Sequence, residues 1–106
     1  MAIKISSTPV RITVSLSGEI DHHNAAMLRL EADSAIQSSL APNVRLDFDD
    51  VTFMDSSGIG LVMGRYRNLV KLGAELHIIN APPPIYKMMK LAGIERLATM
   101  DKGVNM

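Results

Sequence analysis

Cysteine is absent from the 106-residue chain, so disulfides and thiolate metal sites are both excluded. Tryptophan is missing as well, and aromatic residues make up only 4%. The core must therefore be built from Leu, Ile, Val, Met and Ala. Neither sign of charge is in excess, with 11 Lys+Arg against 11 Asp+Glu. A nucleic-acid binder generally shows a basic excess or a Lys/Arg cluster. The one local basic bias, Arg65, Arg67 and Lys71 on an expected helix, reads as a solvated helix face. Long apolar runs are also lacking, and none approaches the ~18 residues that span a bilayer. The segment from Met1 to Ile12 alternates polar and apolar residues, without the continuous apolar core of a signal peptide. A soluble, cytoplasmic protein with no membrane and no direct nucleic-acid contact is the expectation.

What is present suits one compact unit. Hydrophobic residues account for 47% and charged residues for 21%, which argues for a packed core over disorder. The length is that of one domain, expected to span residues 1–106. Eight methionines can fill irregular gaps or serve a protein-binding surface.

Periodicity predicts alternating strands and helices. Ile3 to Ser6 and Val10 to Gly18 read as two strands joined by a turn at Ser7-Thr8-Pro9. In the second, Val10, Ile12, Val14 and Leu16 alternate with Arg11, Thr13 and Ser15. Asp21 to Asn24 can cap a helix whose apolar positions are Leu28, Ala32, Ala35, Ile36 and Leu40. Val44, Leu46 and Phe48 alternate with Arg45, Asp47 and Asp49 in a third strand. A second helix follows with Ile59, Val62, Met63, Tyr66 and Val70 on its apolar side and Gly73 at its stop. Glu75 to Asn80 is a fourth strand. Pro82-Pro83-Pro84 can start but not continue a third helix, which carries Ile85, Met88, Met89 and Ala92. Ile94 to Met100 offers a last short strand. The implied fold class is α/β: a mixed sheet of four to five strands with helices packed mainly on one face.

The densest polar stretch runs from Asp47 to Gly60, passing from a strand through a turn into a helix. Ser56 stands at the helix entrance, with Gly58 and Gly60 just beyond. Glycines there allow another molecule close to the backbone, and unpaired amides at a helix start favour a phosphate. Ser56 is thus a candidate phosphate acceptor, although chemistry alone favours the plainer reading that Ser56 or Ser57 is the helix cap. A hydrolase is disfavoured, because neither serine stands in Gly-x-Ser-x-Gly. His22 and His23 are adjacent, and neighbouring side chains usually point apart, so a metal shared with His77 is not expected. The Gly58-x-Gly60-x-x-x-Gly64 run is one residue too long for a dinucleotide fingerprint, and helix-packing glycines explain it better. Asp47, Asp49, Asp50 and Asp55 offer a phosphoacceptor or magnesium alternative, although Asp47 and Asp49 suit the solvated face of a strand. No cofactor is called for.

Two segments, Gly18-Glu19-Ile20-Asp21-His22-His23 and Met54-Asp55-Ser56-Ser57-Gly58-Ile59-Gly60, closely resemble the anti-sigma factor antagonists, single STAS-type domains. Gly64-Arg65-Tyr66-Arg67 and Leu91-Ala92-Gly93-Ile94 are similar too, and the likeness is greatest to the sporulation branch. The resemblance implies a non-enzymatic regulator that binds an anti-sigma factor, itself an ATP- or ADP-bound serine kinase, and so frees a sigma factor. It implies phosphorylation of Ser56 by that kinase and reset by a PP2C-type phosphatase. It also implies partner contacts through Asp21, Asp55, Ser57, Gly58 and Ile59. The alternative carried by the same fold is a STAS-type ligand-binding or scaffold domain in a signalling complex.

Overall fold

The computed structural model describes residues 3–102. Five strands form one mixed sheet in sequence order: β1 (Ile3–Thr8), β2 (Arg11–Ile20), β3 (Asn43–Met54), β4 (Glu75–Ala81) and β5 (Thr99–Lys102). β1 and β2 are antiparallel, turning at Pro9-Val10, and the remaining pairs are parallel. Parallel neighbours need crossover connections. These are α1 (Ala25–Ser39), α2 (Ser56–Leu72) and α3 (Pro83–Leu91), the last followed by a short 3-10 turn at Ile94–Arg96.

Alternation along the strands decides which face the helices cover. Ile12, Val14 and Leu16 of β2, Val44, Leu46 and Phe48 of β3, and Leu76 and Ile78 of β4 are buried. Their neighbours Thr13, Ser15, Arg45, Asp47 and His77 face the other way and are half-buried. Leu28, Ala32 and Ile36 of α1, Leu61, Val62 and Leu69 of α2, and Ile85 and Met89 of α3 close over the apolar side in one continuous cluster. Each fully buried side chain of this size is worth about 1.5–3 kcal/mol of transfer free energy, with Phe48 at the centre.

β3 runs further than its alternation suggests. Beyond Phe48 the buried positions are Val51 and Met54, a spacing of three. The cause lies in the register with β2: Ser15 pairs with Asp47 but Ser17 with Asp50, and Gly18 with Val51 but Glu19 with Phe53. β3 therefore carries an extra residue at each of two bulges, which end the simple period of two. Gly18 meets the second bulge at φ +80°, a conformation that favours glycine, so β2 continues past it to Ile20.

Three apolar positions read from helical spacing fall elsewhere. Leu40 does not pack; it is the left-handed C-cap of α1 and 83% exposed. Val70 is exposed, and the core side of α2 is carried by Leu61, Val62, Arg65 and Leu69, with Ile59, Met63 and Tyr66 at its margin. Ala92 is exposed just beyond α3. The stops at Gly73 and Gly93 both adopt positive φ. Pro82 caps α3, Pro83 and Pro84 occupy its first turn, and the Pro82 carbonyl accepts the Tyr86 amide at 2.8 Å.

Candidate functional site

The two bulges bring the ends of β2 and β3 together. Ile20 pairs with Met54, and the Ile20 carbonyl accepts the Asp55 amide at 3.1 Å. The chain leaving β2 at Asp21 and the chain entering α2 at Asp55 thus share one end of the sheet.

Side chains hold the turn before α1 and the start of α2. Asp21 Oδ1 accepts the amides of His23 at 2.9 Å and Asn24 at 3.2 Å. Asn24 returns the bond, its Oδ1 accepting the Asp21 amide at 3.0 Å while its Nδ2 donates to the Glu19 carbonyl. Asp21 and Asn24 therefore lock the turn before α1 reciprocally, while Asn24, the N-cap residue, makes no side-chain bond to the helix amides, contrary to the capping expected of this segment. Asp21 keeps about a fifth of its side chain exposed, at 21%.

At α2 the cap is Asp55, whose Oδ1 accepts the Ser57 amide at 2.8 Å. Its carbonyl accepts the Gly58 amide at 2.9 Å. This settles the capping alternative against both serines. Ser56 is the first helical residue and exposed, and its hydroxyl forms no hydrogen bond among the described residues. Ser57 and Ile59 are half-buried. Asp55, Ser56, Ser57, Gly58 and Ile59 are consecutive in one turn, with Asp21 at the neighbouring strand end.

Gly58 takes the packing role, not the open approach that its place after Ser56 also offered. It is buried, and a Cβ there would collide with Met54 Cγ and Sδ and stand 3.3 Å from Ile20 Cγ2. Its missing side chain lets the first turn of α2 sit on the ends of β2 and β3. Gly60 and Gly64 are not packing glycines, since a Cβ at either meets nothing within 4 Å. Gly60 instead opens onto a cleft of about 310 Å³ between the starts of α1 and α2. His22, Arg29, Ser57 and Leu61 also line it. Arg29 is a residue that composition did not single out; its signal was its place one turn into α1, on the cleft that Ser57 also lines.

Arg65 also departs from the sequence reading. It is 3% exposed rather than solvated, and its Nε lies 2.6 Å from Asp33 Oδ1 on α1. The contact is an ion pair rather than an aligned hydrogen bond, because the N–H is not directed at the oxygen. Burial lowers the Arg65 pKa, Asp33 opposes that, and the charges of Arg29 and Arg67 add to the lowering. Arg67 and Lys71 are exposed, as a solvated face requires.

The remaining polar clusters serve the fold. His77 lies at the opposite end of the sheet, its Nδ1 2.6 Å from Thr99 Oγ1 and its Nε2 3.3 Å from Asn43 Oδ1, tying three strands. His22 and His23 do not point apart; their ring centroids are 4.1 Å from each other. Asp47 accepts the Asp49 amide and Asn80 Nδ2, while Asp49 and Asp50 are exposed. No helix among the described residues is long and apolar enough to cross a membrane.

Comparison with known proteins bears on this end of the sheet. The STAS domain matches residues 2–105. The anti-sigma F factor antagonist of Paenibacillus polymyxa is 35% identical over 95 residues, covering 89% of this chain and 81% of its own. The solved structure of the anti-sigma factor antagonist SpoIIAA in its unphosphorylated form superposes with a TM-score of 0.79 at 30% identity, covering 98% of this chain and 90% of that one. The Bacillus cell fate determinant SpoIIAA in its phosphorylated form superposes with a TM-score of 0.73 at 30% identity, over 98% and 94%. With the strand order, the reciprocal Asp21–Asn24 turn and the Asp55-capped α2 in place, the chain belongs to the STAS-domain family, among the anti-sigma factor antagonists.

Proposed function

We propose that this chain is a cytoplasmic anti-sigma factor antagonist of the sporulation type, switched by phosphorylation of Ser56. Unphosphorylated, it binds an anti-sigma factor through Asp21, Asp55, Ser57, Gly58 and Ile59, and the sigma factor held there is released. The anti-sigma factor is a serine kinase. It transfers the γ-phosphoryl group of ATP to Ser56 Oγ, leaving ADP and the serine proton. A PP2C-type phosphatase hydrolyses the phosphoserine and restores the binding form.

The observation that carries this reading is the free, exposed hydroxyl of Ser56 at the first position of α2, with the capping task taken by Asp55. A capping serine would have its oxygen committed to a backbone amide, and a phosphate there would break the helix start. At Ser56 a phosphate adds about 1.5–2 negative charges outside the core, at the helix end that favours anions. That SpoIIAA superposes on this chain in both phosphorylation states supports a switch without refolding.

The same charge changes what the surface offers a partner. Asp55 is adjacent and Asp21 stands at the neighbouring strand end, so the phosphate adds to a face already carrying two carboxylates. A kinase presenting nucleotide phosphates to that face meets like charge, which costs several kcal/mol when misplaced at an interface.

The direct test is incubation with the cognate anti-sigma kinase and ATP, with the phosphate located by mass spectrometry. Modification of Ser56, and none in Ser56→Ala, is expected. An unmodified Ser56 beside a demonstrably active kinase would leave the scaffold or ligand-binding role instead.

A further inference from the structure

At the seam between α1 and α2, Arg29 stands across a cleft from the first turn of α2, the turn that Ser56 opens. On an isolated helix Arg29 and Asp33, four residues apart, form a natural pair. Here Asp33 is turned to Arg65, whose buried guanidinium it approaches to 2.6 Å. Arg29 forms no ion pair among the described residues and is exposed. It lines the cleft together with His22, Ser57 and Gly60, and Ser56 directly precedes Ser57 at the start of α2. Gly60 stands one turn beyond Ser56 on the same side of α2, and its lack of a side chain keeps the path from Ser56 into the cleft open.

We propose that Arg29 receives the phosphate of phosphorylated Ser56 in this cleft, with His22 as a secondary donor. The inference rests on the assignment of Ser56 as the acceptor. Of the acidic groups near the path, Asp21 Oδ1 holds the amides of His23 and Asn24, and Asp55 Oδ1 holds the Ser57 amide. Arg29 is then the strong donor facing the phosphate from α1, and its planar fork suits phosphate oxygens. The captured phosphate occupies part of the cleft between the two helix starts, which gives the phosphorylated form a changed surface as well as a changed charge.

The test places phosphoserine at position 56 by genetic encoding, so that no kinase is needed and a failure of the kinase assignment remains separable. Phosphorus NMR then follows the second ionisation of the phosphate, ordinarily near pH 6. A nearby cation favours the dianion, so the midpoint in the parent protein should lie at least about 0.3 units below that of Arg29→Gln at low salt. Arg29→Lys should retain part of the shift. Arg67→Gln, ~16 Å further along α2, should leave the midpoint unchanged. The series is repeated with His22→Gln, because His22 also lines the cleft. Equal midpoints in the parent and Arg29→Gln, in both backgrounds, would overturn the assignment.

Discussion

Gly58 concentrates the geometry of the site in one missing methyl group. Met54 lies directly beneath it, and its colliding atoms include the inner Cγ, which cannot swing aside as a chain tip can. Replacement by alanine removes the helix penalty of glycine, worth about 1 kcal/mol in an open position. The collision outweighs that gain, because overpacking of a tight contact costs about 1–3 kcal/mol. Gly58→Ala should therefore lower unfolding stability by about 1–2 kcal/mol in urea titration. In a Met54→Ala background the same change should cost little or become favourable. An equal loss in both backgrounds would mean that Met54 is not the obstacle. The sequence offered both readings of this residue, an open backbone at the helix start and a packing glycine in the Gly58–Gly64 run, and the contact with Met54 decides for packing.

At the scale of elements, α1 and α2 are fastened by Asp33 and Arg65. Removing one partner of a buried pair leaves the other uncompensated, and deep in a core this costs about 3–5 kcal/mol. Asp33 is about a quarter exposed, at 26%, so water softens the loss. Asp33→Ala should destabilise by about 2 kcal/mol, and Arg65→Met, which fills similar volume without a charge, by less. Thermal unfolding of the two variants checks the order; the reverse order would place the stabilisation in arginine packing. Much of the element pattern was legible because β2, β4 and the first half of β3 alternate cleanly and Gly73, Gly93 and Pro82–Pro84 mark helix ends. The far half of β3 was not, since two bulges convert its period from two to three. The buried face of α2 was shifted because a charged Arg65 occupies a core position that hydrophobic spacing cannot register. Leu40 misled for the opposite reason, being an apolar residue placed at a left-handed helix end. In the site itself, the place of Ser56 at the entrance of α2 and a polar turn at Asp21–Asn24 before α1 were legible, but the capping of α1 by those side chains was not met, since Asn24 makes no side-chain cap bond. The division of labour between a capping Asp55 and a free Ser56 needed backbone geometry.

For the whole molecule, a single core cluster draws on β2, β3, β4 and all three helices, while Ser56 stands outside it. A radius of gyration of 12.4 Å is close to the ~13 Å of a compact chain this long. The phosphate should therefore act at the surface. Amide chemical shifts on phosphorylation should change around Asp21–Arg29 and Asp55–Leu61 and stay put in β4 and β5. Shifts spread through the sheet would contradict a local switch. The decisive measurement is calorimetric titration of the cognate anti-sigma factor with the chain unphosphorylated and phosphorylated at Ser56. A like-charge cost of about 3 kcal/mol predicts affinity weakened roughly a hundredfold by the phosphate. Equal affinity of the two forms would contradict the account.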